Sequence, residues 1–220
     1  MAGRPPSPCE GCDARCCRWY AVHVTGEDVL RIARGTGLPA AGFLSYLPQI
    51  DRTETGFLLA ADGPTHDLIL GQAPSDDAQK PCVFLRVDAG GGARCAVYPI
   101  RPGACRRFPA VRGLDGRVGA REDVVCPPGS WTAYPMDGLS WRVALERERR
   151  DRELYAVVVA EWNARVAAAR GHGPRTCEEF LDFLSDAYGW IDRLRDSLSP
   201  RERVGPALLL RVGEALREFP

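Results

Sequence analysis

The distribution of cysteine limits what this chain can fold into more than any other feature of its sequence. Nine cysteines are present, and all but Cys177 precede residue 127. Those eight are Cys9, Cys12, Cys16, Cys17, Cys82, Cys95, Cys105 and Cys126. In a reducing compartment, where disulfides seldom persist, such a set is typical of metal binding or catalysis. Two other interpretations are free buried thiols, which the density disfavours, and a disulfide framework, which the odd total disfavours.

Charge and hydropathy indicate the compartment and exclude some partners. The 220 residues carry 29 basic and 29 acidic side chains, so the formal net charge is zero. This balance argues against nucleic acid or an anionic membrane as a partner. The first eight residues lack the apolar core of a signal peptide, and no apolar run approaches the ~18 residues of a membrane span. We therefore expect a cytoplasmic protein.

The spacing of the cysteines favours metal coordination. The first group reads Cys9-x2-Cys12-x3-Cys16-Cys17, and the other four cysteines are scattered between residues 82 and 126. Thiolates at ~2.3 Å around a tetrahedral ion are the usual structural zinc arrangement, but iron–sulfur clusters use the same ligand. Zinc and an iron–sulfur cluster therefore both remain open as cofactors. Eight thiolates would suffice for two four-ligand sites, and the adjacent Cys16 and Cys17 could serve two neighbouring centres.

Local patterns predict short elements in the first part of the chain. Residues 18–24 are typical of a short strand, and Thr25 with Asp28 predicts a capped helix through about Arg34. A second short helix is expected from Pro39 to Leu47. Residues 82–87 and 93–98 predict a hairpin across a glycine-rich turn. Prolines then exclude long regular structure as far as residue 128.

Three helices are predicted in the last third of the chain. An apolar stripe runs from Trp141 to Val166, and Thr176 with Glu179 forms a capping box for the second helix. The third helix is expected from Gly205. The predicted fold class is therefore α+β, with a cysteine-rich, metal-organised unit of short strands, loops and helices followed by a three-helix layer. The predicted domains are residues 9–135, which bind metal, and the helical residues 140–220.

Three ordered motifs connect the chain to a known family. They are Cys9-Glu-Gly-Cys12-Asp-Ala-Arg-Cys16-Cys17, then Pro81-Cys82-Val-Phe-Leu, then Cys95-Ala-Val-Tyr-Pro-Ile-Arg101-Pro-Gly-Ala-Cys105-Arg106-Arg-Phe-Pro109. Together they resemble the CxxCxxCC cysteine-cluster family of YkgJ-like zinc- or iron-chelating proteins, which includes the cysteine-rich part of flagellin lysine-N-methylase. The resemblance spans about residues 9–126.

The resemblance implies a metal or iron–sulfur centre held by the eight cysteines. Arg101 and Arg106 lie inside the family motif, and we expect them to neutralise the thiolates or donate hydrogen bonds to sulfur. Flagellin lysine-N-methylase provides the alternative of a cluster-dependent enzyme, either a protein lysine methyltransferase or a redox protein. A further alternative is a zinc-stabilised module that binds a protein partner.

Two isolated residues are weaker candidates for the site. His23 follows Cys17 closely, but it is expected to be a structural or exposed histidine. Cys177 would lie at the N-terminus of the second C-terminal helix, where the helix dipole lowers a thiol pKa. It is nevertheless expected to be a bystander thiol.

Overall fold

The computed structural model has a mixed α+β fold, which confirms the predicted fold class. It describes residues 12–74, 80–121, 125–131, 134–136, 138–169, 173–203 and 205–219. The described residues form two compact units. The first unit draws on Met1–Val22 and Leu70–Glu148, and the second draws on His23–Ile69 and Arg149–Pro220.

Short helices and strands precede residue 121, and long helices follow residue 138. The helices are α1 Arg15–Trp19, α2 Gly26–Thr36, α3 Gly103–Arg107, α4 Leu139–Ala168, α5 Cys177–Ser197 and α6 Gly205–Leu216. The strands are β1 Leu44–Pro48, β2 Phe57–Leu58, β3 Thr65–Leu70, β4 Leu85–Val87, β5 Ala93–Cys95, β6 Ala110–Arg112 and β7 Val118–Ala120. No helix within the described ranges is long and apolar enough to cross a membrane.

The first unit contains two hairpins and a small aromatic core. Strand β4 pairs antiparallel with β5, and β6 pairs antiparallel with β7. The core beside β6 and β7 is built from Ala110, Val118, Trp131 and Met136, with Cys126 packed against it. The hairpin predicted over residues 82–98 is therefore present, although its ladder is limited to residues 85–87 and 93–95.

The second unit is organised around a three-stranded sheet in the order β1-β3-β2. Phe57 of β2 lies opposite His66 of β3, and its ring stacks on Phe180 of α5 at 4.0 Å between centroids. Strand β3 is buried along most of its length, so its apolar residues carry much of this core. Helix α4 buries a stripe between Leu154 and Val166, which is the periodicity expected from the sequence.

Both predicted helix caps are present, and each is a complete capping box. The Thr25 hydroxyl accepts a hydrogen bond from the Asp28 backbone N–H, and the Asp28 carboxylate accepts one from the Thr25 N–H. Thr176 and Glu179 make the same reciprocal pair at the start of α5. Each box satisfies backbone donors that the first turn of a helix leaves unpaired.

Two local predictions are wrong. Residues 39–47 were expected to form a helix, but only Ala40–Gly42 makes a 3-10 turn and Leu44–Pro48 is strand β1. Pairing with β3 outweighs the weak local preference of this segment. The strand expected over residues 18–24 is replaced by the end of α1 and by a single β-bridge between His23 and Ile69.

Asn163 of α4 binds the backbone on both sides of Phe57. Its Oδ1 accepts a hydrogen bond from the Leu58 N–H at 2.8 Å, and its Nδ2 donates to the Gly56 carbonyl at 2.9 Å. The indole N–H of Trp162 donates to the Leu58 carbonyl at 2.7 Å. One amide side chain thus provides β2 with the partners that a neighbouring strand would otherwise supply.

We expect Asn163→Ala to reduce the free energy of unfolding by about 2 kcal/mol, because two partly buried backbone groups lose their partner. Asn163→Asp retains the acceptor for the Leu58 N–H but places a carboxylate oxygen against the Gly56 carbonyl, so its loss should be at least as large. Urea denaturation of both variants measures the difference. A midpoint unchanged in Asn163→Ala would show that the amide does not stabilise β2.

Candidate metal centre

Seven of the eight predicted ligands lie in the described part of the first unit, and Cys9 lies outside the described residues. The seven are Cys12, Cys16, Cys17, Cys82, Cys95, Cys105 and Cys126, and all are free thiols. Cys16 and Cys17 lie in α1, Cys95 ends β5 and Cys105 lies in α3. The other three lie outside regular elements: Cys12 before α1, Cys82 before β4 and Cys126 in the loop before Trp131. Sequence separation between these groups is large, so the fold has to bring them together.

Helix α1 places two thiols side by side. The backbone of Ala14 adopts the left-handed conformation at φ 57° and ψ 40°, and its carbonyl accepts a hydrogen bond from the Cys17 N–H at 2.9 Å. The Sγ atoms of Cys16 and Cys17 lie 4.0 Å apart. Hydrogen bonding from Cys17 lowers the pKa of Cys16 to about 7. The hydrogen bond with Cys16 is the main cause, and burial the second, that raises the pKa of Cys17 well above its usual range.

A backbone hydrogen bond joins this helix to the start of the hairpin. The Cys82 N–H donates to the Cys17 carbonyl at 2.7 Å. Cys82 also forms a β-bridge with Gln72. The main chains of two cysteine motifs that are distant in sequence are therefore in direct contact.

Cys82 and Cys95 share the same local geometry. Each sulfur is hydrogen-bonded by the backbone N–H two residues further on, from Phe84 for Cys82 and from Val97 for Cys95. These bonds favour the thiolate and oppose the effect of burial, which raises the pKa of both thiols. Cys95 lies directly opposite Leu85 in the hairpin register. Backbone N–H···S bonds of this kind orient and stabilise thiolate ligands.

Electrostatic interactions show which thiols are neighbours. The charge of Cys16 raises the pKa of Cys17, Cys82, Cys95 and Cys126. The charge of Cys105 raises the pKa of Cys17, and the charge of Cys12 raises the pKa of Cys126. All seven described cysteines are therefore connected in one electrostatic network centred on Cys16.

A family model matches the part of the chain that carries these cysteines. The CxxCxxCC model, described as a "putative zinc- or iron-chelating domain", matches residues 8–127, which is more than half of the chain. The chain belongs to the CxxCxxCC family. No curated protein and no solved structure matches it.

The described thiols of the CxxCxxCC domain do not form a closed coordination shell. Across the described residues, no three His, Cys, Asp or Glu side chains converge closely enough to hold a metal ion. The donor set is nevertheless chemically suitable for zinc or an iron–sulfur cluster, because both are bound by cysteine thiolates. Mutual repulsion also opposes ionisation of these sulfurs, and a bound cation would remove that cost.

The two motif arginines have different surroundings. The Arg101 guanidinium lies 3.9 Å from the centroid of the Tyr98 ring, and its charge favours the thiolates of Cys16 and Cys95. Arg106 donates from Nε to the Arg101 carbonyl at 2.9 Å and from Nη2 to the Pro99 carbonyl at 2.8 Å. Arg101 thus acts on the sulfurs by charge, whereas Arg106 orders the backbone that precedes Cys105.

Some features of the CxxCxxCC domain are missing from the sequence-based prediction. The donors Phe84 and Val97 were not predicted, although the shared pattern Cys-x-apolar at residues 82–84 and 95–97 could have indicated them. Cys126 packs against the aromatic core that contains Trp131, and burial raises the pKa of its thiol. Cys177 belongs to the second unit, and burial raises its pKa to about 11 rather than lowering it.

Proposed function

We propose that this chain is a cytoplasmic metal-binding protein whose cysteine thiolates hold zinc or an iron–sulfur cluster. The proposed ligands are Cys9, Cys12, Cys16, Cys17, Cys82, Cys95, Cys105 and Cys126. The observation that carries the proposal is the hydrogen bond from the Cys82 N–H to the carbonyl of Cys17, whose sulfur lies 4.0 Å from that of Cys16, because it brings two distant cysteine motifs together. Thiols that merely fill a core need no such convergence of motifs.

The residues of this chain would supply binding, orientation and charge. The backbone contact between Cys17 and Cys82 fixes two ligand segments against each other. The positive charge of Arg101 offsets part of the negative charge of a thiolate site. A bound zinc ion would link the proline-rich loops by coordination to their thiolates. An iron–sulfur cluster would make the same links and could also transfer electrons.

Anaerobic purification followed by absorption spectroscopy tests this proposal and separates the two metals. Brown protein with sulfur-to-iron charge-transfer absorption supports the cluster. Colourless protein that contains stoichiometric zinc supports a structural zinc site and removes the redox alternative. Protein that is folded, reduced and free of both metals contradicts the proposal.

We expect Arg101→Ala to weaken metal retention by about 10–100-fold, since it removes a cation beside two thiolates. Arg106→Ala should have a similar effect by releasing the carbonyls of Pro99 and Arg101. Arg106→Lys should also retain less metal than the parent, because lysine lacks the planar fork that binds both carbonyls. Competition with a chelator measures retention in each variant.

Arg117→Ala is the matched control, because its side chain is 89% exposed. It should retain metal like the parent. Full metal content and unchanged thermal stability in both Arg101→Ala and Arg106→Ala would show that neither arginine supports the centre.

A further inference from the structure

Basic side chains are concentrated in the segment that carries Cys82, Cys95 and Cys105. Residues 80–114 contain a single acidic side chain and seven basic ones, although the whole chain has equal numbers of both. The seven are Lys80, Arg86, Arg94, Arg101, Arg106, Arg107 and Arg112. The segment lies within the first unit. The neutral net charge of the chain therefore does not describe this region, which is locally cationic.

The β4–β5 hairpin presents two of these charges side by side. Arg86 lies directly opposite Arg94 in the antiparallel register, and both side chains are exposed. Directly opposite residues point to the same face of a sheet, and like charges in such a pair are destabilising. Leu85 and Cys95 form the neighbouring pair, so they belong to the other face, where Leu85 is buried. We call the exposed face with Arg86 and Arg94 the arginine face.

No carboxylate within the described ranges forms an ion pair with the arginine face. Arg86 donates from Nη1 to two backbone carbonyls of its own segment, at 2.9 and 3.2 Å. Arg94 forms no hydrogen bond or ion pair with the described residues. The one acid of the segment, Asp88, accepts hydrogen bonds from two backbone N–H groups of the hairpin turn, at 3.0 and 2.8 Å. The described part of the chain therefore opposes two cations without supplying the carboxylate that would stabilise them.

Other arginines of the first unit have such a carboxylate. Arg107 Nε lies 3.4 Å from Oε2 of Glu148, and both side chains are mostly buried. Arg117 Nε lies 3.8 Å from Oδ2 of Asp115, in the turn between β6 and β7. The arginine face differs from these positions because its cations oppose each other instead of an acid.

An exposed aromatic ring follows the arginine face in sequence. Tyr98 comes three residues after the end of β5 and is 56% exposed, and the Arg101 guanidinium lies 3.9 Å from the centroid of its ring. Tyrosine and arginine are among the side chains that contribute most binding energy at protein interfaces. Nucleic acid would require a longer row of cations, because its affinity comes from many phosphate contacts. The composition of this surface therefore favours a protein partner.

We propose that the arginine face of the β4–β5 hairpin docks an acidic segment of a partner protein, with its carboxylates bound to Arg86 and Arg94. A planar guanidinium binds a carboxylate through two parallel hydrogen bonds, and the bound anions would offset the repulsion between the two cations. Cys95 belongs to the opposite face of the hairpin, so the partner would not compete with this thiol for a metal. The docking site is proposed independently of the metal centre.

Binding of fluorescein-labelled hexaglutamate to the full chain, as purified, tests the proposal by fluorescence anisotropy at low ionic strength. We expect Arg94→Glu to weaken binding by about tenfold or more, because it replaces a cation of the site with an anion. Arg117→Glu changes the net charge equally at an 89% exposed position outside the arginine face, so it should bind like the parent.

Three outcomes of this titration would overturn the proposal. The first is parent protein that does not bind hexaglutamate, and the second is equal binding by Arg94→Glu and the parent. The third is tighter binding of an oligouridylate of the same length, which would assign the arginine face to nucleic acid.

Thermal melting of the same variants separates binding from folding. Arg94→Glu replaces a like-charge pair with an opposite-charge pair, so its melting midpoint should rise by about 1–2 °C while its affinity for hexaglutamate falls. Arg94→Gln removes the charge without adding another, and both of its values should lie between those of the parent and Arg94→Glu. A midpoint lower than the parent's in Arg94→Glu would show that Arg94 stabilises the hairpin itself, and it would overturn the proposal.

Discussion

Cys82→Ser is expected to remove the metal and to destabilise the first unit together. Cys82 carries one of the two N–H···S bonds, and its backbone is hydrogen-bonded to Cys17. A serine hydroxyl is a poor ligand for zinc or iron at neutral pH, and the binding energy of a structural metal is largely folding energy. We expect metal retention at least about 100-fold weaker than in the parent, with a lower soluble yield. Elemental analysis and thermal melting measure both effects.

Cys177→Ser is the matched control for that substitution. It removes a half-buried thiol from the second unit and leaves every proposed ligand in place. Metal content and yield should therefore equal those of the parent. Equal metal loss in the Cys82 and Cys177 variants would show that the proposed set of ligands is wrong.

Gly26→Ala is expected to destabilise the second unit by about 3 kcal/mol, the upper end for overpacking. A Cβ at residue 26 would lie 2.1 Å from Cε2 of Tyr188, and that ring is only 1% exposed. A fully buried aromatic ring has no free space to move into, so either α2 or α5 must shift. The urea midpoint measures the loss.

Gly213→Ala separates this steric effect from helix propensity. Gly213 is also helical, but its Cβ would meet the nearest atom, Cγ1 of Val157, at 3.7 Å, which is an ordinary contact. Alanine should stabilise this position by about 0.5–1 kcal/mol. If Gly26→Ala were as stable as Gly213→Ala, close packing of α2 on Tyr188 would be disproved.

Features governed by neighbouring residues could be predicted from the sequence. The reciprocal hydrogen bonds of Thr25 with Asp28 and of Thr176 with Glu179 span three residues, and both helices start where these pairs indicate. The helical stripe of α4 and the turn between β4 and β5 are local in the same sense. The α+β class follows from adding such elements together.

Features that depend on distant partners could not be predicted. Residues 44–48 form a strand because β3 is available beside them, and no local pattern reveals that partner. The approach of Gly26 to Tyr188 and the amide of Asn163 on β2 join residues far apart in sequence. The same limit applies to the pairing of Asp67 with His23.

The candidate metal centre also has features that could be predicted from the sequence and features that could not. Spacing alone predicts that the cysteines form a metal-binding set, and the family match supports a zinc- or iron-chelating domain over residues 8–127. Spacing does not reveal that Arg101 acts through charge while Arg106 binds carbonyls. The assignment of individual ligands stays a prediction that substitution must test.

Metal content per chain tests the central claim most directly. The protein should be expressed in medium containing both iron and zinc, purified without oxygen and analysed by elemental analysis beside a thiol assay. We predict at least about one metal centre per chain, with the thiols of the first unit protected from modification until the metal is removed. Less than about 0.3 metal per chain in folded, reduced protein would contradict the account.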